Sequence, residues 1–149
     1  MTFRQKVYEH YLQLISDKVG LLRDTLDDLK ESSSDETKST AGDKHETALA
    51  MLQIEQKNVS QQLKEALEQK ILFEQIKPTL VKQEITKGSL IKTNKGYLFL
   101  SVALGKIIVD EIPIIAISPR SPLGQKLIGL KVNDTAELNG IKYVVENIG

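Results

Sequence analysis

The chain contains no cysteine and no tryptophan. Without cysteine, disulfides and thiolate metal sites are excluded, and a reducing, cytoplasmic setting is the expectation. Aromatic residues make up only 5% of the 149 positions. A single rounded core of this size would ordinarily hold more rings, so the expectation is an elongated molecule packed by Leu, Ile and Val. No apolar run approaches the ~20 residues a membrane span needs, and Met1 to Lys6 lead into charged sequence, so no membrane association is expected. Only two histidines are present, which leaves no Ser-His-Asp arrangement to argue, and the glycines have no GxGxxG or phosphate-loop spacing.

Net charge is zero, but its distribution is uneven. Residues 1–78 carry 11 basic and 14 acidic side chains, and residues 79–149 carry 9 and 6. Between Asp24 and Glu46 eight acids (Asp24, Asp27, Asp28, Glu31, Asp35, Glu36, Asp43, Glu46) face three lysines. Such a surface repels phosphates and suits a cation or a basic partner.

Two apolar stripes dominate the first half. Tyr8, Tyr11, Ile15, Val19, Leu22, Leu26 and Leu29 step by three or four residues, and Leu49, Leu52, Gln56, Val59, Leu63, Ala66, Lys70 and Phe73 alternate three and four strictly. Each stripe is narrow and suits one partner helix, so the two runs are expected to pair as an antiparallel coiled-coil hairpin. Each helix is read as roughly 27 residues, giving a rod about 40 Å long. The Ser- and Thr-rich stretch from Glu31 to Gly42 reads as the connecting turn, and Pro78 closes the second helix.

Beyond it the texture becomes strand-like. Candidate strands are residues 90–93, 96–102, 106–109, 114–117, 135–138 and 141–145, with hairpin signals at Asn94-Lys95 and, strongest, at Asn139-Gly140. A short helix over Pro122 to Ile128 carries proline near its start and Gly129 just past its end. The fold class is therefore α+β: a helical hairpin over 1–78 with an acidic tip around 31–46, and a small antiparallel sheet domain with one helix over 79–149.

The tip sequence Gly42-Asp43-Lys44-His45-Glu46 opens the second helix. Asp43 and Glu46 lie three apart, on one side of its first turn. Two readings stand. The pair could form a capping box and complement the helix dipole, or it could hold a divalent cation with water in the remaining positions. Tyr8 and His10 are read as packing or surface residues, His45 as exposed, and Lys82, Lys87, Lys92 and Lys95 as a solvated sheet face.

The chain resembles the GreA/GreB family of bacterial transcript-cleavage factors. Gly42, Asp43 and Glu46 match the family's acidic Gly-Asp-Leu-Ser-Glu-Asn tip. A second match is the run Ser121-Pro122-Leu123-Gly124, then Leu127-Ile128-Gly129-Leu130-Lys131-Val132-Asn133-Asp134, which is similar to the family's Ser-Pro-(apolar)-Gly/Ala and Leu-(apolar)-Gly-Lys-(Lys)-Val-Gly-Asp. Lys44 and His45 depart from the tip pattern, Thr47 stands where the family has Asn, the aromatic that follows shortly after is absent, and the coil's basic positions find Ser39 and Ile54. The resemblance implies an FKBP-like C-terminal domain that docks at the rim of RNA polymerase's secondary channel, with Ser121, Pro122, Leu123, Gly124 and Lys131 as contact residues. It implies that Asp43 and Glu46 reach the polymerase active site beside nascent RNA and DNA. There they share a Mg²⁺ with the polymerase, which then cleaves backtracked RNA. The factor itself would bind no cofactor, turn nothing over alone and act as a monomer. The alternatives are a non-cleaving regulator of the same channel and a free-standing coiled-coil adaptor. An FKBP-like isomerase is disfavoured, because the C-terminal half offers only Tyr97, Phe99 and Tyr143 to line a pocket.

Overall fold

A computed structural model describes residues 1–37, 42–77 and 81–149; the side chains of 36, 37 and 42–45 lie outside that description. The elements are α1 (Phe3–Thr37), α2 (Gly42–Glu74), β1 (Leu90–Thr93), β2 (Gly96–Leu100), β3 (Gly105–Val109), β4 (Ile112–Ile117), α3 (Pro122–Leu127), β5 (Thr135–Leu138) and β6 (Ile141–Ile148). They divide into two compact units, one of residues 1–13 and 71–149, the other of residues 14–70.

In the unit of residues 14–70, the members of both apolar stripes are all buried or half-buried, with Ile15, Val19, Val59 and Ala66 the deepest. Gln56, a polar member of the second stripe, donates to Leu29 O at 3.2 Å and to Ser33 Oγ. The side chain therefore crosses from α2 to α1 and satisfies itself there. The helices are longer than expected: α1 has 35 residues and α2 has 33. The run Ser32-Ser33-Ser34 does not break α1. Serine is less favourable than alanine in a helix by only about 0.5 kcal/mol, and extending an established helix costs far less than nucleating one. Of the expected turn over Glu31 to Gly42, residues 31–37 and 42 are therefore helical, while residues 38–41 lie outside the described residues, as does Pro78.

In the other unit, α1 starts on a reciprocal capping box. Gln5 N donates to Thr2 Oγ1 at 3.1 Å, and Thr2 N donates to Gln5 Oε1 at 2.9 Å. The six strands form one sheet in the order β3-β4-β2-β1-β6-β5. It is not wholly antiparallel, as the sequence suggested, because β2 and β4 pair in parallel from Tyr97↔Ile114 to Leu100↔Ile117. Hairpin signals identify neighbours in sequence. Here β3 swings to the outside and β4 returns between it and β2. Pro113 lies inside β4 opposite Ile108 of β3, and because pairing with β2 begins only at Ile114 its missing N–H interrupts no bond to β2. The β3–β4 turn places Asp110 and Glu111 at φ 51° and 66°, and the β5–β6 turn places Asn139 and Gly140 at φ 52° and 78°. These positive values suit the tight hairpin geometry that matches strand twist.

Strand alternation gives the sheet two packed faces. On one, Ile85, Ile91, Leu98, Leu100, Leu127, Ala136, Val145 and Ile148 form a core capped by Leu123 and Leu130. On the other, the start of α1 and the end of α2 meet the sheet through rings. Tyr8 stacks on Phe73 with centroids 4.9 Å apart, Tyr11 stacks on Phe99 at 5.8 Å, and Phe73 meets Phe99 edge-on at 6.0 Å. The Tyr11 hydroxyl shares its proton between Gly105 O at 2.7 Å and Ile114 O at 3.1 Å, tying α1 to the β3–β4 pair.

Burial pushes the Tyr11 phenol up to about 12, while backbone hydrogen bonds at Ala116 and Ile107 pull the other way. The folded state therefore keeps a proton that the unfolded chain releases near pH 10, the ordinary value for tyrosine. The stability tied to this group is present below pH ~10 and is lost as pH rises towards about 12. Tyr11→Phe is expected to lower stability by about 1–2 kcal/mol at neutral pH and to flatten the alkaline decline, measured by urea unfolding from neutral pH to about pH 11.

Candidate functional site

Two places carry the residues that the sequence pointed to: the acid-rich ends of the long helices and the turn around α3. Of the acids between Asp24 and Glu46 whose side chains are described, Asp24, Asp27, Asp28, Glu31, Asp35 and Glu46 are all exposed. Asp24, Asp28, Glu31 and Asp35 step four, three and four along α1 and so form one acidic stripe. Glu31 has acids at both helical neighbours on its N-terminal side, Asp27 and Asp28, and Asp35 one turn further on. Such like-charge pairs oppose helix formation by about 0.2–0.5 kcal/mol each. No packing requires them, because every one faces solvent.

Asp43 and Glu46 are the second and fifth residues of α2. Glu46 is exposed, and the carboxylate of Asp43 lies outside the described residues, as does the side chain of His45. The capping and cation readings of this pair therefore both stay open. Among the described residues, no group of three or more His, Asp or Glu side chains gathers into a metal-binding cluster, and no helix is long and apolar enough to cross a membrane.

The α3 turn is built from the second motif. Ser121, at the N-cap, accepts from Gly124 N at 3.0 Å and donates to Ser118 O at 2.6 Å, and Pro122 follows at the first helical position. Leu123 packs onto the core and Gly124 is buried. A Cβ on Gly124 would overlap the Ser118 carbonyl oxygen and come within 3.0 Å of Pro119 Cα. After α3, Gly129 at φ 85° turns the chain so that its N–H reaches Ile85 O at 2.8 Å. Lys131 N donates to Asp134 Oδ2 at 2.8 Å, and the exposed Lys131 ammonium sits 3.8 Å from Glu84. Between them Asn133 adopts φ 78°. Thus Ser121, Gly124 and the Lys131 backbone shape the turn, whereas the Pro122 ring and the Lys131 ammonium face solvent.

Other sequence readings resolve as follows. Tyr8 is buried against Phe73 and His10 is exposed. Burial, then the charge of Glu74, pushes the Tyr8 phenol up. The four lysines read as a sheet face are exposed, but only Lys92 lies on a strand; Lys82 and Lys87 precede β1, and Lys95 sits in the β1–β2 turn. Sequence inspection passed over Arg4, a polar residue in the first turn of α1 with nothing in its spacing to mark it. Its Nε donates to Gly88 O at 3.0 Å and its Nη2 to Lys77 O at 2.7 Å.

Among known proteins, no family model, no curated protein and no solved structure matches this chain.

Glu31→Gln is expected to raise the stability of the helical unit by about 0.5–1 kcal/mol at low salt, as several repulsions vanish. The gain should shrink at 1 M salt, where screening already suppresses them; helix-monitored urea unfolding reads both. Gly124→Ala is expected to lower stability by about 1–3 kcal/mol through overpacking. Gly129→Ala, which meets nothing within 4 Å but is held at φ 85°, should lose about 1 kcal/mol from backbone conformation alone. Thermal unfolding of the two variants compares them.

Proposed function

We propose that this chain is a transcription elongation factor of the GreA/GreB kind, which binds RNA polymerase through its secondary channel and stimulates cleavage of backtracked RNA. The observation that carries the reading is the exposure of all the described acids from Asp24 to Glu46, on the last turns of α1 and the first of α2. A stripe that weakens its own helix and packs against nothing is understandable as a surface kept for a partner or a cation. The α3 turn supports the reading. Asn133, held at φ 78°, stands where the resembled pattern has glycine, and the two residue types share tolerance of that conformation.

On this reading α1 and α2 pair as an antiparallel coiled coil, and the sheet unit is an FKBP-like docking domain, with Ser121, Pro122, Leu123, Gly124 and Lys131 at the polymerase contact. The protein acts as a cytoplasmic monomer and turns nothing over alone. Carboxylate oxygens suit Mg²⁺. Glu46 presents one to solvent, and Asp43, three residues before it, supplies the second. A pair is an incomplete ligand set, which fits an ion shared with the polymerase's own acids and its RNA and DNA. When bound, Mg²⁺ supplies acidity to the attacking water and neutralises charge at the scissile phosphate. Asp43 and Glu46 retain the ion and orient the water, and the remaining acids keep the surface from sticking to nucleic acid.

A second reading follows from Lys44 and His45, which replace the apolar and hydroxyl residues of the resembled tip. A lysine beside the acids opposes cation binding electrostatically. A protein with such a tip would occupy the channel and regulate the polymerase without promoting cleavage.

RNA cleavage in stalled, backtracked elongation complexes of the cognate polymerase separates the two. The elongation-factor reading expects cleavage with wild type and a loss of at least about tenfold with Asp43→Asn/Glu46→Gln, polymerase binding being retained. Slowed elongation without cleavage supports the regulator. No effect on polymerase and no binding defeats both.

A further inference from the structure

The sheet unit carries a cavity whose charge its own fold does not balance. Between Gln75 and Leu104 the chain has five lysines and a single acid, Glu84. Three of those lysines, Lys77, Lys82 and Lys87, line one cavity of about 200 Å³ together with Gln75, Thr86 and Ser89. Among the described residues no acidic side chain lines it. Glu84 sits 3.8 Å from Lys131 instead, and none of the three lysines has an ion-pair partner among the described residues. All three are exposed, and each ammonium rides on a flexible stem that lets it turn toward the cavity. A sphere of that volume is roughly 7 Å across, shorter than the ~8 Å screening length at physiological salt, so the three charges act together on whatever enters.

The walls of the cavity are held in place from below. Arg4 is only 6% exposed. Its Nε donates to Gly88 O at 3.0 Å and its Nη2 to Lys77 O at 2.7 Å. One buried guanidinium therefore ties the chain just past α2 to the turn before β1, and both segments carry cavity lysines. The turn is itself braced: Ser89 N donates to Thr86 O at 3.0 Å, and Thr86 N to Ser89 Oγ at 2.9 Å. Gly88 adopts φ 94°, and a Cβ there would lie 2.7 Å from Ile76 Cγ2, so glycine alone lets the turn approach this closely. Arg4 Nη1 is buried without a hydrogen-bond partner, and no carboxylate pairs with Arg4 among the described residues. The buried charge touches no ligand, but it is screened less than a surface charge and adds to the field of the lysines.

We propose that this cavity seats a backbone phosphate of a single-stranded nucleic acid. Lys77, Lys82 and Lys87 hold it as point charges, and Gln75 and Thr86 add neutral polar surface. A polymeric anion fits better than a free one. Lys92, exposed on β1, and Lys95, exposed in the turn that follows, continue the positive charge along the chain from Ser89, so neighbouring phosphates also meet cations. A flexible single strand turns one phosphate into a concave site more readily than a stiff duplex does. The site uses neither the tip acids nor the α3 turn, so it stands or falls independently of the elongation-factor reading.

The test is fluorescence anisotropy with the full chain and a labelled single-stranded oligouridylate of about 12 nucleotides. At about 50 mM salt, wild type should bind with Kd below ~100 μM, within the range of sequence-independent binding. Lys77→Gln/Lys82→Gln/Lys87→Gln should weaken binding at least about tenfold and flatten the slope of log K against log salt by at least ~0.7, the single-strand value for one phosphate. Lys106→Gln/Arg120→Gln/Lys142→Gln removes the same charge from exposed positions of the same unit and should weaken binding less than about threefold. All six positions are exposed, so Tm should hold in both variants. The proposal is overturned if wild type does not bind, or if the second variant loses as much as the first, which would make the binding one of net charge. It is equally overturned if adenosine monophosphate competes at equal nucleotide concentration, which would make the ligand a small phosphomonoester.

Discussion

The sheet unit depends on the burial of Phe73. This residue is fully buried, and its ring touches Tyr8, Tyr11 and Phe99, so one side chain at the end of α2 contacts the start of α1 and the central strand β2. Each aromatic pair adds about 0.5–1.5 kcal/mol beyond its buried area, and the three share one ring. Tyr11 then extends the cluster, since its hydroxyl ends on the carbonyls of β3 and β4. Without Phe73, Tyr8 would lose the ring it stacks on and Tyr11 one of its two ring neighbours, leaving the start of α1 the Tyr11–Phe99 stack, the Tyr11 and Arg4 hydrogen bonds, the Phe3–Tyr97 pair and the exposed Lys6–Asp110 pair at 2.9 Å. Exposed ion pairs are worth little, so the rings decide.

This explains why composition misled. Seven aromatics in the chain suggested that aliphatic residues alone did the packing. In fact four of the seven converge on one cluster, and Phe3 and Tyr97 form a further pair beside it. A count is blind to convergence, because Tyr8, Tyr11, Phe73 and Phe99 are brought together only by the fold. By contrast, the helical stripes were fully legible, since three-four spacing is a local property and every stripe residue is covered as expected. The strands were legible one by one for the same reason, and the Asn139-Gly140 turn was legible because its chemistry is confined to two residues. The parallel β2–β4 pair was not, because no local signal says which strand returns to which edge. Serines 32–34 misled in the other direction. Their turn preference is real but small, and the helix continuing through them outweighs it.

The candidate sites were legible to different degrees. Around α3 the motif residues have separable work: Ser121 caps, Pro122 starts the helix, and Gly124 allows the Ser118 carbonyl to approach. Much of that pattern is therefore demanded by the turn, while the Pro122 ring and the Lys131 ammonium, 3.8 Å from Glu84, stay exposed. A sequence pattern cannot make this division, because it records which residues recur and not which atoms are already used. Arg4 is the converse case. Its partners are main-chain carbonyls 73 and 84 residues away, and backbone acceptors carry no residue signature, so this buried seat leaves no trace in the sequence.

The acids and Arg4 show two ways in which a fold leaves charge uncompensated, and their magnitudes separate them. The acidic stripe is solvated. Each repulsion amounts to a few tenths of a kcal/mol and fades with salt, so the fold tolerates six exposed acids with little loss. A solvated stripe of this kind suits a long-range field toward a partner. Arg4 Nη1 is different because water cannot reach it, and an unmet buried donor can cost as much as several of those repulsions together. A defect of that size persists where the surrounding structure fixes it, as Gly88 does here. The larger uncompensated cost in this molecule therefore lies in a single buried nitrogen rather than in the larger number of exposed carboxylates.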